Sequence, residues 1–165
     1  MGFISPKPMP NKLAWPIDKV YITQHFGERP EVYKIFALKG HNGIDFRTRF
    51  IDSPLGRRYI TAATDGVIEV VRDDESKGYG LHIRIRHADK SMTIYGHLTK
   101  SYVRQGQSVA SGTRIGLSGN SGFSSAPHLH FEYRPTGWEK KTSNGFAGAV
   151  DPLPFLPPLP TLIAK

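Results

Sequence analysis

The stretch APHLHFE, residues 126–132, alternates polar and apolar residues over its last five positions. Successive side chains of a β-strand point to opposite faces, so His128, His130 and Glu132 would share one face. The two apolar residues between them would share the other face, which is typical of a strand that packs on a core. The stretch therefore predicts a strand with one buried side and one side that carries chemistry.

Similar short runs recur along the chain, each bounded by Gly, Asp, Asn or Pro. They are KVYIT (19–23), GVIEVVR (66–72), LHIRIRH (81–87), SMTIYGHL (91–98) and SVASGTRIGLSG (108–119). The 17 glycines and 13 prolines also favour many turns, and no apolar stripe of useful length has helical spacing. We predict an all-β fold of mainly antiparallel sheets, with a sandwich-like or barrel-like core, long loops around a metal cleft and little helix.

The length of 165 residues predicts one domain with a single core. Both ends are rich in proline, which predicts a lead-in over residues 1–16, a folded domain over 17–154 and a tail over 155–165. No apolar run is long enough for a signal peptide or a membrane span, so we expect neither an export signal nor membrane insertion.

The chain has no cysteine, which excludes disulfides, thiolate metal ligands and a thiol nucleophile. The formal net charge of +8 favours an anionic partner, such as nucleic acid or a bacterial cell wall. The basic residues are scattered in pairs, such as Arg57-Arg58 and Lys140-Lys141, without a recognition helix or a stacking platform. We therefore do not expect nucleic acid as the partner.

The stretch GHNGIDF contains two residue types that bind zinc, His41 and Asp45. Gly43 between them lets the backbone bend so that both side chains converge. A catalytic zinc ion takes three protein ligands and leaves one position open, so a third ligand must come from elsewhere. His130 is the economical choice, although spacing alone does not choose between His128 and His130.

A further imidazole, His97 in YGHL, is expected beside the metal together with His128. Histidines in such a place can take a proton from water or stabilise the oxyanion that follows attack on a carbonyl. The residues alone thus predict a zinc centre that performs hydrolysis.

The motifs HNGID, YGHL and APHLHFE occur together with ITQHFGER and the Gly-rich GQSVASGTRIGLSGNSG. In this order and spacing, over residues 15–154, they resemble the lysostaphin-type zinc peptidoglycan endopeptidases, also called LytM-type. The resemblance implies one zinc ion, held by His41, Asp45 and His130. It also implies that His97 and His128 act in catalysis.

The resemblance further implies hydrolysis of peptide bonds in the stem or cross-bridge peptides of bacterial peptidoglycan, without a covalent intermediate. The chain would act on the cell wall, as an extracellular, periplasmic or phage-delivered enzyme, and we expect a monomer. A relative of the same fold that only binds peptidoglycan or activates a hydrolase is the alternative. The presence of all five expected site residues favours the enzyme.

Three other side chains are candidates for the site. Glu132 shares a face with both histidines, so it is either a carboxylate that orients a ligand or a solvated charge. Tyr95 precedes His97 by two residues and either contacts substrate or packs in the core. Asn120 lies in a Gly-flanked loop that either contacts substrate or is only a turn.

Three histidines outside the motifs and one inserted segment also carry expectations about exposure and position. His82 and His87 are expected to be exposed, and His25 either lines the cleft or has no role. The insertion over residues 46–66 carries several arginines and is expected to form a basic loop near the cleft. Those arginines would meet substrate carboxylates or wall phosphates, or would only aid solubility.

Overall fold

Nine β-strands and a few short helical turns make up the computed structural model, which describes residues 12–160. The strands are β1 (Ile22–Gln24), β2 (Ile44–Arg47), β3 (Tyr59–Thr61), β4 (Gly66–Asp73), β5 (Leu81–Arg86), β6 (Met92–Ser101), β7 (Ser108–Val109), β8 (Arg114–Ser118) and β9 (His128–Arg134). The single α-helix of this region, α1, covers Pro30–Tyr33. Short 3-10 turns cover Lys34–Phe36, Trp138–Lys140, Thr142–Asn144 and Leu153–Phe155. Across residues 12–160, no helix has the length and apolarity that a bilayer crossing requires.

The strands belong to one hydrogen-bonded sheet in the order β1-β2-β9-β6-β5-β4-β7, and every pairing is antiparallel. The long strand β6 pairs with β9 through its first half and with β8 through its second half, and β8 in turn pairs with β3. Strands β8 and β3 thus form a side branch of the same sheet. The described residues contain this one sheet and one core cluster. The prediction of a mainly antiparallel all-β fold is confirmed.

Strand β9 has the two faces that its alternation predicts. Leu129 and Phe131 are fully buried, and the ring of Phe131 packs against Phe46 of β2 and Tyr95 of β6. Burying side chains of this size stabilises the fold by about 1.5–3 kcal/mol each. The apolar face of β9 thus fixes which side of the strand faces the cleft.

The register of the sheet places β9 at the centre of the site. Asp45 of β2 lies opposite His130 on one side, and Gly96 of β6 lies opposite His130 on the other. Arg47 of β2 lies opposite His128. Three strands that are far apart in sequence therefore bring their polar side chains to one place.

The core extends beyond the predicted domain borders at 17 and 154. Leu13 is only 2% exposed, and its backbone N–H donates to the carbonyl of Phe155 at 2.9 Å. Leu156 is 4% exposed and belongs to the same core. Apolar packing therefore connects residues 13–16 and 155–156 to the core. The borders at 17 and 154 stay a prediction, and the expectations for residues 1–11 and 161–165 lie outside the described residues.

Candidate metal centre

Three buried side chains from β9, β2 and the loop before β2 meet in the cleft. His41 Nε2 lies 2.9 Å from His130 Nδ1 and 3.1 Å from Asp45 Oδ1, and His130 Nδ1 lies 3.0 Å from Asp45 Oδ1. Their ligand atoms all lie within 4.8 Å of one another, which is close enough for one cation to contact all three. These are the three residues that the sequence predicts as metal ligands.

The glycine between the first two ligands is required by close packing. A β-carbon on Gly43 would lie 2.4 Å from the carbonyl oxygen of Phe131 and 2.8 Å from Cε1 of His130. Any larger residue would push the loop that carries His41 away from β9. Gly43 thus acts through the space that it leaves and not through a left-handed backbone, since its φ is not positive.

Each ligand imidazole is oriented by a hydrogen bond from its other nitrogen. His41 Nδ1 donates to the carbonyl of His25 at 3.1 Å, and His130 Nε2 donates to Glu132 Oε1 at 3.0 Å. With Nδ1 of His41 and Nε2 of His130 occupied by these partners, His41 Nε2 and His130 Nδ1 are the nitrogens that would bind a cation. The side chain of His25 is exposed, and its contribution comes from its backbone, which no side-chain pattern indicates.

A buried polar network surrounds the carboxylate of Glu132. Asn42 Nδ2 donates to Glu132 Oε1 at 2.6 Å, the hydroxyl of Tyr79 donates to the same oxygen, and Arg134 donates to Oε2 at 3.1 and 3.2 Å. Burial favours the neutral acid, but the hydrogen bond from His130 and the charge of Arg134 lower the pKa of Glu132. Glu132 therefore lies where an orienting carboxylate is needed, and Asn42 and Tyr79 are site residues that the sequence analysis missed.

Two further imidazoles lie beside the three ligands, and their rings are 4.6 Å apart. His97 Nδ1 donates to the carbonyl of Ser121 at 2.7 Å, and His128 Nδ1 donates to the carbonyl of Ala126 at 2.8 Å. Both residues are thus held with Nε2 as the unprotonated nitrogen, and His128 Nε2 lies 3.5 Å from Asp45 Oδ2. The structure brings together all five residues that the sequence places at the centre.

The pKa values of these groups follow from burial and from their neighbours. Burial favours neutral Asp45, yet hydrogen bonds from His130 and His41 hold its pKa well below the usual range. Burial alone would lower the pKa of His130, but hydrogen bonds to Asp45 and Glu132 raise it to about 9. Burial lowers the pKa of His97 to about 3. His97 is therefore a neutral imidazole at pH 7.

The donor set fits a metal ion of the zinc type. Two imidazole nitrogens and one carboxylate oxygen point toward one position, and this combination occurs in catalytic zinc sites. The three buried groups lie in direct contact, so a cation is the natural partner of their lone pairs. Three protein ligands leave one coordination position open for water or substrate.

Two predicted substrate contacts lie elsewhere. Tyr95 is fully buried, and its hydroxyl is hydrogen-bonded to the backbone N–H of Ala63 at 2.9 Å and to Thr93 at 3.0 Å. Tyr95 therefore has no surface to offer a substrate, and of the two alternatives the structure shows core packing. Asn120 is exposed in the loop after β8 and accepts a hydrogen bond from Ser124 within that loop.

His82 and His87 were expected to be exposed, and both are buried. His82 is 0% exposed on the central strand β5, with Nδ1 bonded to the carbonyl of Gly80 at 2.9 Å. His87 is 6% exposed and is held between the carbonyl of Asp65 and the hydroxyl of Thr93. Burial lowers the pKa of both imidazoles, which therefore remain neutral parts of the packing.

A cleft of about 1060 Å³ gives access to the centre. The residues that line it include the ligands Asp45 and His130, both flanking histidines, and the insertion residues Arg47 and Arg49. The expected basic loop therefore does reach the cleft. Phe36 and Phe123, each partly exposed, contact each other at 5.2 Å between ring centroids and form part of the wall.

Comparison with known proteins agrees with this geometry. Residues 39–143 match the model of Peptidase family M23. Peptidoglycan DD-endopeptidase ShyA of Vibrio cholerae is 37% identical over 119 residues, which are 72% of this chain and 26% of ShyA. An uncharacterized metalloprotease of Haemophilus influenzae is 39% identical over 100 residues, 61% of this chain and 20% of that protein. The chain thus spans about a quarter of the length of these curated relatives.

Solved structures show the same fold. The catalytic domain of the antimicrobial peptidase lysostaphin from Staphylococcus simulans is 28% identical, with a TM-score of 0.64 over 82% of this chain and 91% of that domain. A zinc containing peptidase from Vibrio cholerae is 30% identical, with a TM-score of 0.64 over 88% of this chain and 40% of that protein. The family match covers more than half of the chain and includes the first two ligands, the flanking imidazoles and the third ligand. The chain belongs to Peptidase family M23.

Proposed function

We propose that this chain is a zinc-dependent endopeptidase that hydrolyses peptide bonds in the stem or cross-bridge peptides of bacterial peptidoglycan. The convergence of His41, Asp45 and His130 beside two further imidazoles, in an open cleft, carries the proposal. It is supported by the similarity to a protein named a peptidoglycan DD-endopeptidase and to a peptidase described as containing zinc. The cell wall is then the site of action, and a monomer is the proposed form.

His41 Nε2, Asp45 Oδ1 and His130 Nδ1 would hold the zinc ion. When bound, zinc acts as a Lewis acid that polarises a carbonyl and makes water a nucleophile near neutral pH. His25 and Glu132 keep the two imidazoles oriented for this task through the hydrogen bonds described above. The neighbouring apolar core holds all of these groups in place.

His97 and His128 supply the proton transfers. Each presents an unprotonated Nε2 to the cleft, because each Nδ1 donates to a backbone carbonyl. Either imidazole can therefore take a proton from the attacking water. The imidazolium that forms can then donate a hydrogen bond to the developing oxyanion and pass this proton to the leaving amine. General acid-base groups of this kind contribute about 10²–10⁴-fold to the rate.

A non-catalytic relative that only binds peptidoglycan is the second candidate from the sequence. Nothing in the site favours it, because all three ligands and both flanking imidazoles are present and converge. Cleavage, and not binding alone, is therefore the expected activity.

The experiment compares zinc content and cleavage of purified peptidoglycan for the protein and two variants. His130→Ala should lose the stoichiometric zinc ion together with activity. His128→Ala should keep the zinc ion and lose about 100-fold or more in the rate, because His128 is a proton-transfer group in this proposal. Mass spectrometry of the new amino and carboxyl ends identifies the bond. If the zinc-loaded protein leaves peptidoglycan of several chemical types intact, the proposal is wrong.

A further inference from the structure

Three arginines line the cleft of the metal centre, namely Arg29, Arg47 and Arg49. Arg29 has a distant carboxylate partner, Glu31 at 3.9 Å. Within residues 12–160, neither Arg47 nor Arg49 forms an ion pair with a carboxylate, although both are exposed to the cleft. Three arginines outside the cleft differ in this respect, because each forms an ion pair with a carboxylate of the chain. They are Arg58, Arg86 and Arg134.

The position of Arg47 relates it directly to the reacting centre. Arg47 lies two residues after the ligand Asp45 on β2, so both side chains emerge from the same face of the strand. At about 3.3 Å per residue, their backbones are about 7 Å apart along the strand. Arg47 also lies opposite His128 in the register of β2 and β9. It therefore lines the cleft, and its distance along β2 from Asp45 is about that spanned by two extended peptide residues.

The guanidinium of Arg47 is already held in place. Its Nε donates to the carbonyl of Arg49 at 2.7 Å, and its central carbon lies 5.7 Å from the ring of Tyr21 and 5.3 Å from the ring of Phe50. Its two terminal nitrogens have no hydrogen-bond partner in the described part of the chain. A planar guanidinium in this state can bind a carboxylate with two parallel hydrogen bonds, at a low cost in side-chain entropy.

The charge of the cleft favours an anionic substrate. Asp45 is the only acidic side chain among the described residues that line the cleft, and it is a metal ligand. The other carboxylate near the centre, Glu132, is buried and bound by Arg134. A cation at the centre and the three arginines therefore leave the cleft positively charged, which attracts an acidic peptide.

We infer that Arg47 binds a free carboxylate of the substrate peptide, about two residues from the scissile bond, and that Arg49 adds to the attraction. The inference rests on the proposed function and deepens it. Stem peptides with unmodified carboxylates are then the preferred substrates, and stem peptides in which these groups are amidated bind poorly.

The test uses uncross-linked peptidoglycan fragments with free stem carboxylates and the same fragments after chemical amidation. Binding of each is measured by calorimetry with zinc-loaded protein that also carries His128→Ala, because this variant should keep the zinc ion and cleave stem bonds too slowly to disturb the titration. The variants are Arg47→Gln, Arg47→Lys and, as a matched control, Arg57→Gln. Arg57 belongs to the same insertion and is exposed, but it lies outside the cleft.

The protein should bind the free-acid fragments about tenfold more tightly than the amidated ones, as expected for a charge-assisted hydrogen-bonded pair. Arg47→Gln should lower the affinity for the free-acid fragments about tenfold and leave the amidated ones unchanged. Arg47→Lys should keep part of the preference, because it retains the charge without the planar fork. Arg57→Gln should change neither affinity.

Equal affinity of the protein for both forms, a preference that survives in Arg47→Gln, or no binding of either form would overturn the inference. Cleavage of cross-linked peptidoglycan is measured in parallel with the same proteins that retain His128. Cleavage without a preference for free carboxylates contradicts the role of Arg47 and leaves the proposed hydrolysis supported. A preference in binding without cleavage supports the role of Arg47 and contradicts the proposed hydrolysis.

Discussion

Glu132 connects the metal centre to the interior of the protein through one carboxylate. It accepts hydrogen bonds from His130, Asn42 and Tyr79 and forms an ion pair with Arg134, and Glu132 itself is fully buried. Groups that orient a metal ligand in this way contribute to metal affinity although they do not touch the metal. The carboxylate therefore sets both the tautomer and the direction of the ligand His130.

We expect Glu132→Gln to raise the zinc dissociation constant about 10–100-fold, measured by competition with a chromogenic chelator. The variant should also be less stable, because Arg134 would keep its charge in a buried place without its partner. Glu139→Gln is the control, since Glu139 pairs with Arg86 at the surface and its loss should alter neither property. Unchanged zinc affinity in Glu132→Gln would contradict the orienting role.

Gly43 and Gly96 offer a matched pair of glycines beside the same ligand. A β-carbon on Gly43 would lie 2.4 Å from the carbonyl oxygen of Phe131, whereas one on Gly96 would have its nearest neighbour at 3.4 Å, on the ring of Tyr79. Neither glycine has a positive φ, so space alone distinguishes them. The first contact is impossible without movement of the backbone, and the second is ordinary packing.

Gly43→Ala should therefore lower the free energy of unfolding by about 1–3 kcal/mol and weaken zinc binding, because the loop that carries His41 must move. Gly96→Ala should stay within about 1 kcal/mol of the parent and keep its zinc ion. Urea unfolding with zinc analysis checks both variants. Similar effects of the two substitutions would show that the close approach of Gly43 to β9 does not position the ligands.

At the scale of the element, β6 changes partner at one residue. Gly96 is the last residue of β6 that pairs with β9, and Leu98 is the first that pairs with β8. His97 between them has a left-handed backbone with φ 61°, held by hydrogen bonds from its N–H to Tyr79 and from Nδ1 to Ser121. A left-handed conformation costs about 1–3 kcal/mol for a residue with a side chain. The strand thus directs this imidazole into the cleft at the expense of stability.

We expect His97→Gly to be more stable than His97→Ala by about 1 kcal/mol in urea unfolding, because glycine adopts a positive φ without a steric penalty. Both variants should lose about 100-fold or more in the cleavage rate and keep their zinc ion. The alanine variant thus shows the effect of losing the imidazole. The difference in stability between the glycine and alanine variants measures the cost of the left-handed backbone. Equal stability of the two variants would mean that the backbone strain at His97 is negligible.

The alternating pattern of single strands is what the sequence predicts well. The alternating residues 128–132 lie within β9, and LHIRIRH and GVIEVVR match β5 and β4 to within one residue. Strands β2 and β3 were not predicted, because β2 is four residues long and lies within a polar motif, and β3 has only three residues. The partner change of β6 was also missed, since it depends on which strands lie on either side.

In the candidate site, too, the sequence predicts which side chains take part but not the contacts that surround them. Residue types and motif spacing indicate the five candidate positions, but the choice of His130 over His128 as the third ligand comes from the family resemblance. The burial of His82 and His87 does not follow from the sequence, because it depends on contacts with other segments: His82 lies against the ring of Tyr79, and His87, just after β5, is held between Asp65 and Thr93. The support that Tyr79 gives to Glu132 depends on a loop 53 residues away in sequence, which no local pattern indicates.

At the scale of the whole molecule, the residues before β1 are part of the structure that holds the site. Leu13 packs in the core, Ala14 donates its N–H to the carbonyl of Ala63 at 2.7 Å, and the ring of Trp15 meets Phe46 of β2 edge-on. Phe46 lies next to the ligand Asp45 in β2. Packing of this segment therefore supports the strand that carries Asp45, one of the three candidate metal ligands.

Leu13→Ala should lower the free energy of unfolding by about 2–5 kcal/mol, the usual cost of emptying a buried leucine site. Ile51→Ala is the control, because Ile51 is 99% exposed and its truncation should change the stability by less than about 0.5 kcal/mol. Urea unfolding of both variants, with zinc bound, gives the comparison. A variant at Leu13 as stable as the control would place the start of the domain near residue 17, as the proline content of the first residues predicts. A large loss of stability instead means that the core of this peptidase fold begins before the first strand.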